Sequence, residues 1–223
     1  MRKLCLLFGV SLGVLSAQTE PARIRVVHAS PDAPAVDVLV NNAKVLEALP
    51  FREYSEYLTV PPGRYEVKVN VSGTATTVLS ANPMLESGRF YTAMAVGFVG
   101  RTPSLELLLL SDEIVEPRSG FVRIRAIHAA PSAPAVDVYV TSPFETLEGK
   151  TPVLTGVPFK AASGYLEAPA ATYQARVTVA NTKTVAIDSG RVGTWSGIIR
   201  TFVAIENPGG ATPFTFLILP DKN

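Results

Sequence analysis

The sequence predicts an all-β protein made of two tandem Ig-like β-sandwich domains of about seven strands each. Three observations carry this. Residues 23–40 recur at 123–140 with thirteen of eighteen positions identical. Apolar and polar residues alternate with a period of two in the best-defined segments, the mark of half-buried strands. Turn formers are spread along all 223 residues, with 16 Gly and 18 Pro, a distribution that suits many short strands.

The strands follow in order. Residues 24–28 form the first, and 36–40 the second, closed by Asn41-Asn42, a dipeptide that favours the positive φ angles of a tight hairpin. Residues 54–59 come next, ended by Pro61-Pro62-Gly63. Tyr65, Val67, Val69 and Val71 then alternate with Arg64, Glu66, Lys68 and Asn70, giving one dry and one wet face. Segments 74–79, 90–98 and 105–110 complete the set. The second copy repeats this plan: Pro50-Phe51 answers to Pro158-Phe159, Tyr57 to Tyr165 and Tyr65 to Tyr173. The offset grows from 100 to 108, so about eight extra residues lie near 142–154. Late in each copy, 105–112 matches 214–221. A repeat of this length is a domain and not a solenoid unit. The expected division is 18–116 and 117–223, joined at Glu116-Pro117-Arg118-Ser119-Gly120.

Residues 1–17 read as a signal peptide: Met1-Arg2-Lys3, a charge-free apolar run over 4–15, then Ser16-Ala17 at the cut. The run is too short to span a bilayer, and no later segment is long and apolar enough, so no transmembrane span is expected. Cys5, the only cysteine, leaves with the signal. The expected location is therefore secreted, periplasmic or on the cell surface. A lone Cys and two His exclude a disulfide framework, a zinc finger and an iron–sulfur cluster. The remaining 18 basic and 19 acidic residues lack the excess positive charge that nucleic acid requires. They are unevenly shared, net −4 over 18–116 and net +3 over 117–223. That asymmetry favours contact between the halves or head-to-tail self-association.

The run His28-Ala-Ser-Pro-Asp-Ala-Pro-Ala-Val-Asp-Val, followed by Tyr57-Leu-Thr-Val-Pro-Pro-Gly-Arg-Tyr65, resembles the family catalogued as domain of unknown function 4397. The resemblance covers nearly all of 18–223, twice. It implies exported bacterial β-domains, often in tandem, and it carries no activity. The second copy departs at Ala130 and Ser132, which replace Ser30 and Asp32, and at Pro169-Ala170-Ala171, which lacks the turn glycine.

His28, Asp37, His128 and Asp137 are the candidate binding residues, one histidine and one aspartate per copy. His28 shares strand parity with Ile24 and Val26 and so faces the core, where an imidazole needs a partner. The residues suit either a His–Asp pair that pins a turn or a small-ligand or metal site. With a single His per copy, the pinning role is the expectation, and no metal or cofactor is assigned. Ser30 with His28 and Asp37 supplies the residue types of a hydrolytic triad, but Ala130 removes the nucleophile from the second copy. Gly193-Thr194-Trp195-Ser196-Gly197 lacks the glycine spacing of a nucleophile elbow and reads as a turn. Trp195 is expected to pack in a core or between domains, and the repeated tyrosines likewise. The functional expectation is an exported, non-enzymatic binding or structural module whose partner is a protein or a cell-envelope polymer.

Overall fold

A computed structural model describes residues 19–222, so the expected signal peptide lies outside the described residues. The first ten strands are β1 (Ala22–His28), β2 (Val36–Val40), β3 (Ala43–Leu49), β4 (Leu58–Val60), β5 (Gly63–Arg64), β6 (Val67–Val71), β7 (Thr77–Ala81), β8 (Met84–Leu85), β9 (Phe90–Val96) and β10 (Glu106–Asp112). The remaining nine are β11 (Phe121–His128), β12 (Val136–Thr141), β13 (Leu154–Val157), β14 (Leu166–Pro169), β15 (Thr172–Val179), β16 (Val185–Asp188), β17 (Val192–Gly193), β18 (Ile199–Asn207) and β19 (Ala211–Lys222). The described chain is all-β.

Two four-stranded sheets, β10-β9-β1-β4 and β3-β2-β6-β7, arise before residue 113, and the same orders recur as β19-β18-β11-β14 and β13-β12-β15-β16. In each half the first strand pairs in parallel with the penultimate one, β1 with β9 and β11 with β18. The hairpin turn at Asn41-Asn42 has φ of 49° and 65°, the geometry that favours asparagine there. Its counterpart between β12 and β13 holds the extra residues of the second copy. β3 escapes sequence reading because nearly all of it is exposed and two register shifts interrupt its pairing with β2. With both faces wet, it shows no period of two.

The largest apolar cluster lies between the halves. Val27, Ala29, Met94 and Val96 meet Ile127, Ala129, Val203, Ile205 and Leu219 there. The two inner sheets thus face each other, and each carries an outer sheet on its other side, where Val36, Val38 and Val69 in the first half are buried. Val136, Val138, Val177 and Ile187 occupy the matching place in the second half. β1 and β11 are consequently buried on both faces. Ala22 and His28 point toward their own outer sheet, whereas Arg25 and Val27 point across the midplane.

That explains two arginines at 1% and 3% exposure, Arg25 and Arg125. The Arg25 guanidinium donates to the Asp221 carboxylate and to the Pro220 carbonyl (3.2 Å). Arg125 reciprocates, donating to Asp112 Oδ1 (2.6 Å) and to the Ser111 carbonyl (3.2 Å). Each aspartate also accepts from a threonine and a tyrosine of its own half. Thr92 and Tyr57 donate to Asp112 Oδ2, both at 2.7 Å, and Thr201 and Tyr165 donate to Asp221 Oδ2 at 2.7 and 2.9 Å. Burial, the largest single effect, works against the charge on Arg25, but Asp221, Tyr57 and Asp112 together outweigh it and hold the guanidinium above the ordinary arginine value. Burial first, then Asp112, keeps the Tyr57 phenol neutral well past the usual range.

The uneven charge also acts across this junction. Asp112, Glu113, Glu106 and Glu116 of the first half pair with Arg125, Arg123, Lys160 and Lys222 of the second. Arg25 with Asp221 runs the other way.

Candidate functional site

His28 and Asp37 stand on the strands expected of them, but they are not hydrogen-bonded to one another. His28 is 1% exposed; its Nε2 lies 3.0 Å from the Pro34 carbonyl and its Nδ1 3.4 Å from the Ser30 backbone N–H. A neutral ring with the proton on Nε2 satisfies both contacts. His128 repeats this with Pro134 (3.0 Å) and Ala130 N–H (3.3 Å). Burial lowers both histidines below the ordinary value, and the proline carbonyls oppose it only in part. Phe51 and Phe159 pack edge-on against the two rings at 5.9 and 6.2 Å, which accounts for the repeated Pro-Phe.

The aspartates serve a different turn. Asp37 accepts from the Ala48 N–H (2.8 Å) and the Gly73 N–H (3.3 Å) and is paired with Lys44 (2.9 Å). Those contacts, led by the Ala48 N–H, hold its carboxyl far below the usual range. Asp137 accepts from Gly156 (2.7 Å) and Asn181 (2.9 Å) backbone N–H groups. Each aspartate therefore ties its neighbouring strand connections together. Ser30, fully buried, donates to the Gly97 carbonyl at 2.7 Å. Its hydroxyl proton thus goes to a backbone carbonyl and not to His28 or Asp37. Among the described residues, no three His, Cys, Asp or Glu side chains converge.

We expect His28→Ala to cost about 1–3 kcal/mol of stability, the usual penalty for orphaning buried polar partners. Urea denaturation measures it, and an unchanged midpoint would contradict the pinning role.

The feature that sequence reading does not reveal is an apolar cavity of about 310 Å³ between the two sheets of the second half. Ile124, Val138, Ala175, Val177, Phe202 and Phe216 are among its walls. Its rim includes Val140, Val153 and Leu166, which are 41%, 49% and 47% exposed. The register shows why the space is here. Val67 lies opposite Val40, but Ala175 lies opposite Val140. Leu85, 2% exposed and packed with Tyr65 and Tyr91 in the first half, has Thr194 as its counterpart beside Ala171. Two shortened side chains in one region, at Ala175 and Thr194, leave the sheets apart where the first half is filled.

Trp195 corrects the expectation of a buried tryptophan. It is 55% exposed, because it belongs to the connection between β17 and β18 and not to a strand face. The Arg200 guanidinium lies over its ring at 5.0 Å. The tyrosines Tyr65 and Tyr173 also close corners, donating to Pro61 O (2.6 Å) and Pro169 O (2.7 Å), while the Tyr65 ring packs against the core of the first half.

Compared with known proteins, the chain matches the family model described as Domain of unknown function (DUF4397) over residues 22–139, from β1 through most of β12. No curated protein matches it. Among solved structures it is similar to a family 41 carbohydrate-binding module from streptococcal virulence factors, reported for alpha-glucan recognition. That likeness has 11% identity over 87% of this chain and 96% of that one, with a TM-score of 0.28. A second structure, an alpha-glucan-binding streptococcal virulence factor, gives 13% identity over 80% and 92%, with a TM-score of 0.24. The Bacillus anthracis TIE protein gives 12% identity and a TM-score of 0.26 over 88% of this chain, which spans about a third of that protein (34%).

Proposed function

The chain belongs to the DUF4397 family, and we propose that it works as a non-catalytic binding module whose second half takes a small apolar molecule between its sheets. The observation that carries this reading is the cavity. Its volume falls at the lower end of the range for ligand pockets, and its walls are almost wholly apolar, as such pockets are. A gap lined by side chains of this kind in an otherwise tight sandwich costs stability. Its exposed rim gives a ligand a way in.

The duplicated His/Asp positions are read as scaffold. Every one of the four side chains is engaged with the backbone of its own half. Ser30 is likewise engaged, which supports a protein without hydrolytic chemistry at this position. Action outside the cytoplasm rests on the basic, apolar and small-residue order of residues 1–17. No helix among the described residues is long and apolar enough to cross a membrane.

The test uses N-phenyl-1-naphthylamine, a neutral dye that brightens in apolar surroundings. The wild-type protein binds it with one site per chain. Ala175→Phe places a ring in the cavity and lowers the affinity at least tenfold while the melting temperature holds or rises. Equal binding by both proteins would sink the reading.

A further inference from the structure

We infer that the second-half cavity is a site for an amphiphile with an anionic head, a carboxylate on a medium-length alkyl chain, and that Arg200 receives the head; this rests on the binding reading above. Three observations place Arg200 beside one end of that cavity, next to wall residues without being one itself. It pairs with Ile124 in the parallel register of β11 and β18, so its side chain leaves the sheet on the same side as Ile124, a wall residue. Its guanidinium lies over Trp195, whose neighbour Thr194 is also a wall residue. The equivalent position in the first half is Tyr91, opposite Ile24, and that ring is buried in the filled core.

Among the described residues, no carboxylate is paired with Arg200, whose guanidinium lies against the Trp195 ring. Arg200 Nε is buried without a hydrogen-bond partner, although an unsatisfied buried donor is costly. Among the described residues, Glu167, itself part of the cavity wall, is already engaged with Arg118 at 2.5 Å, and Glu116 with Lys222. Arg200 thus combines a buried Nε lacking an acceptor with an apolar space beside it. A carboxylate can accept from guanidinium N–H groups in a charge-assisted bond, stronger than a neutral one, while its chain fills the cavity. The exposed indole then covers the head group from outside. An alcohol of the same length fills the cavity but offers Nε only a neutral hydroxyl acceptor, weaker than a carboxylate, which is the basis of selectivity.

Decanoate and decanol, both below their aggregation limits at pH 7.5, are competed against bound N-phenyl-1-naphthylamine on the full chain. Wild type is expected to favour decanoate by about tenfold, a difference of about 1.4 kcal/mol. Arg200→Gln loses that preference yet binds decanol as wild type does, and its unchanged melting temperature shows that it is folded. Ala175→Phe weakens both ligands together. Equal affinity of wild type for the two ligands overturns the inference and leaves the cavity reading standing. A decanoate preference that survives Arg200→Gln also overturns it. If neither ligand displaces the dye and the dye itself does not bind, the cavity reading falls and the inference with it.

Discussion

Asp112→Ala lowers the free energy of unfolding by about 3–5 kcal/mol, the cost of removing one partner from a buried ion pair. The aspartate accepts from Arg125, Thr92 and Tyr57 at 2.6–2.7 Å. Its loss leaves a guanidinium, 3% exposed as a residue, with no carboxylate on its own side of the clasp. The penalty arises from that stranded charge. Pairing Arg125→Met with Asp112→Leu should therefore recover much of the loss, since replacing both charges removes the need for compensation. Glu116→Ala, at the exposed pair with Lys222, should cost under about 1 kcal/mol. Denaturant titration of the four proteins measures all three comparisons. A single-substitution cost below 1 kcal/mol at Asp112 would show that the clasp does not hold the halves together.

Stability falls as the pH drops below about 6.5, the ordinary histidine value, because of His28 and His128. The sign follows from the direction of the shifts. Burial lowers both imidazoles in the folded state, so in this window the unfolded chain binds protons that the folded chain refuses. Stability rises with pH wherever the unfolded state holds more protons. The loss on acidification approaches about 1.4 kcal/mol per pH unit for each histidine, about 2.7 for both, and ends when the folded-state values are reached. The geometry gives the same answer: a proton on Nδ1 would face the N–H of Ser30 or Ala130. Above pH 6.5 these two groups contribute no slope. Asp37, held below the ordinary carboxylate range, loses its contribution only in stronger acid, so the two effects separate. Urea unfolding between pH 7.5 and 5 measures the slope. In the double variant His28→Gln and His128→Gln it should flatten, and a flat wild-type curve would contradict the account.

Much of the fold is legible in the residues. The alternation around Tyr65–Val71 and the Asn-Asn turn assign strand and hairpin because both signals are local. β3 is illegible for the same reason, since an exposed, bulged edge strand has no buried face to write a period. The clasp had a signal that could have been read: Arg25 and Arg125, like Asp112 and Asp221, fall at repeated positions. A repeated charge within a repeated strand suggests a buried role, whereas drift on a solvated surface has no reason to recur. The histidines are visible as core residues by parity, but their partners are backbone groups, which carry no mark in a sequence. The cavity had no signal at all along one strand.

By itself, the sequence determined an all-β chain with one strand plan written twice and its inward faces in register. Alternation suffices for that, because it records which side of a strand is dry. Only the tertiary structure decided what lies against each dry side. It set Arg25 against Asp221, put the largest apolar cluster between the halves, and left Trp195 outside. It also turned two modest shortenings, at Ala175 and Thr194, into one cavity. Their sequence positions are far apart, and side-chain volume becomes empty space only when the residues that lost it face one another.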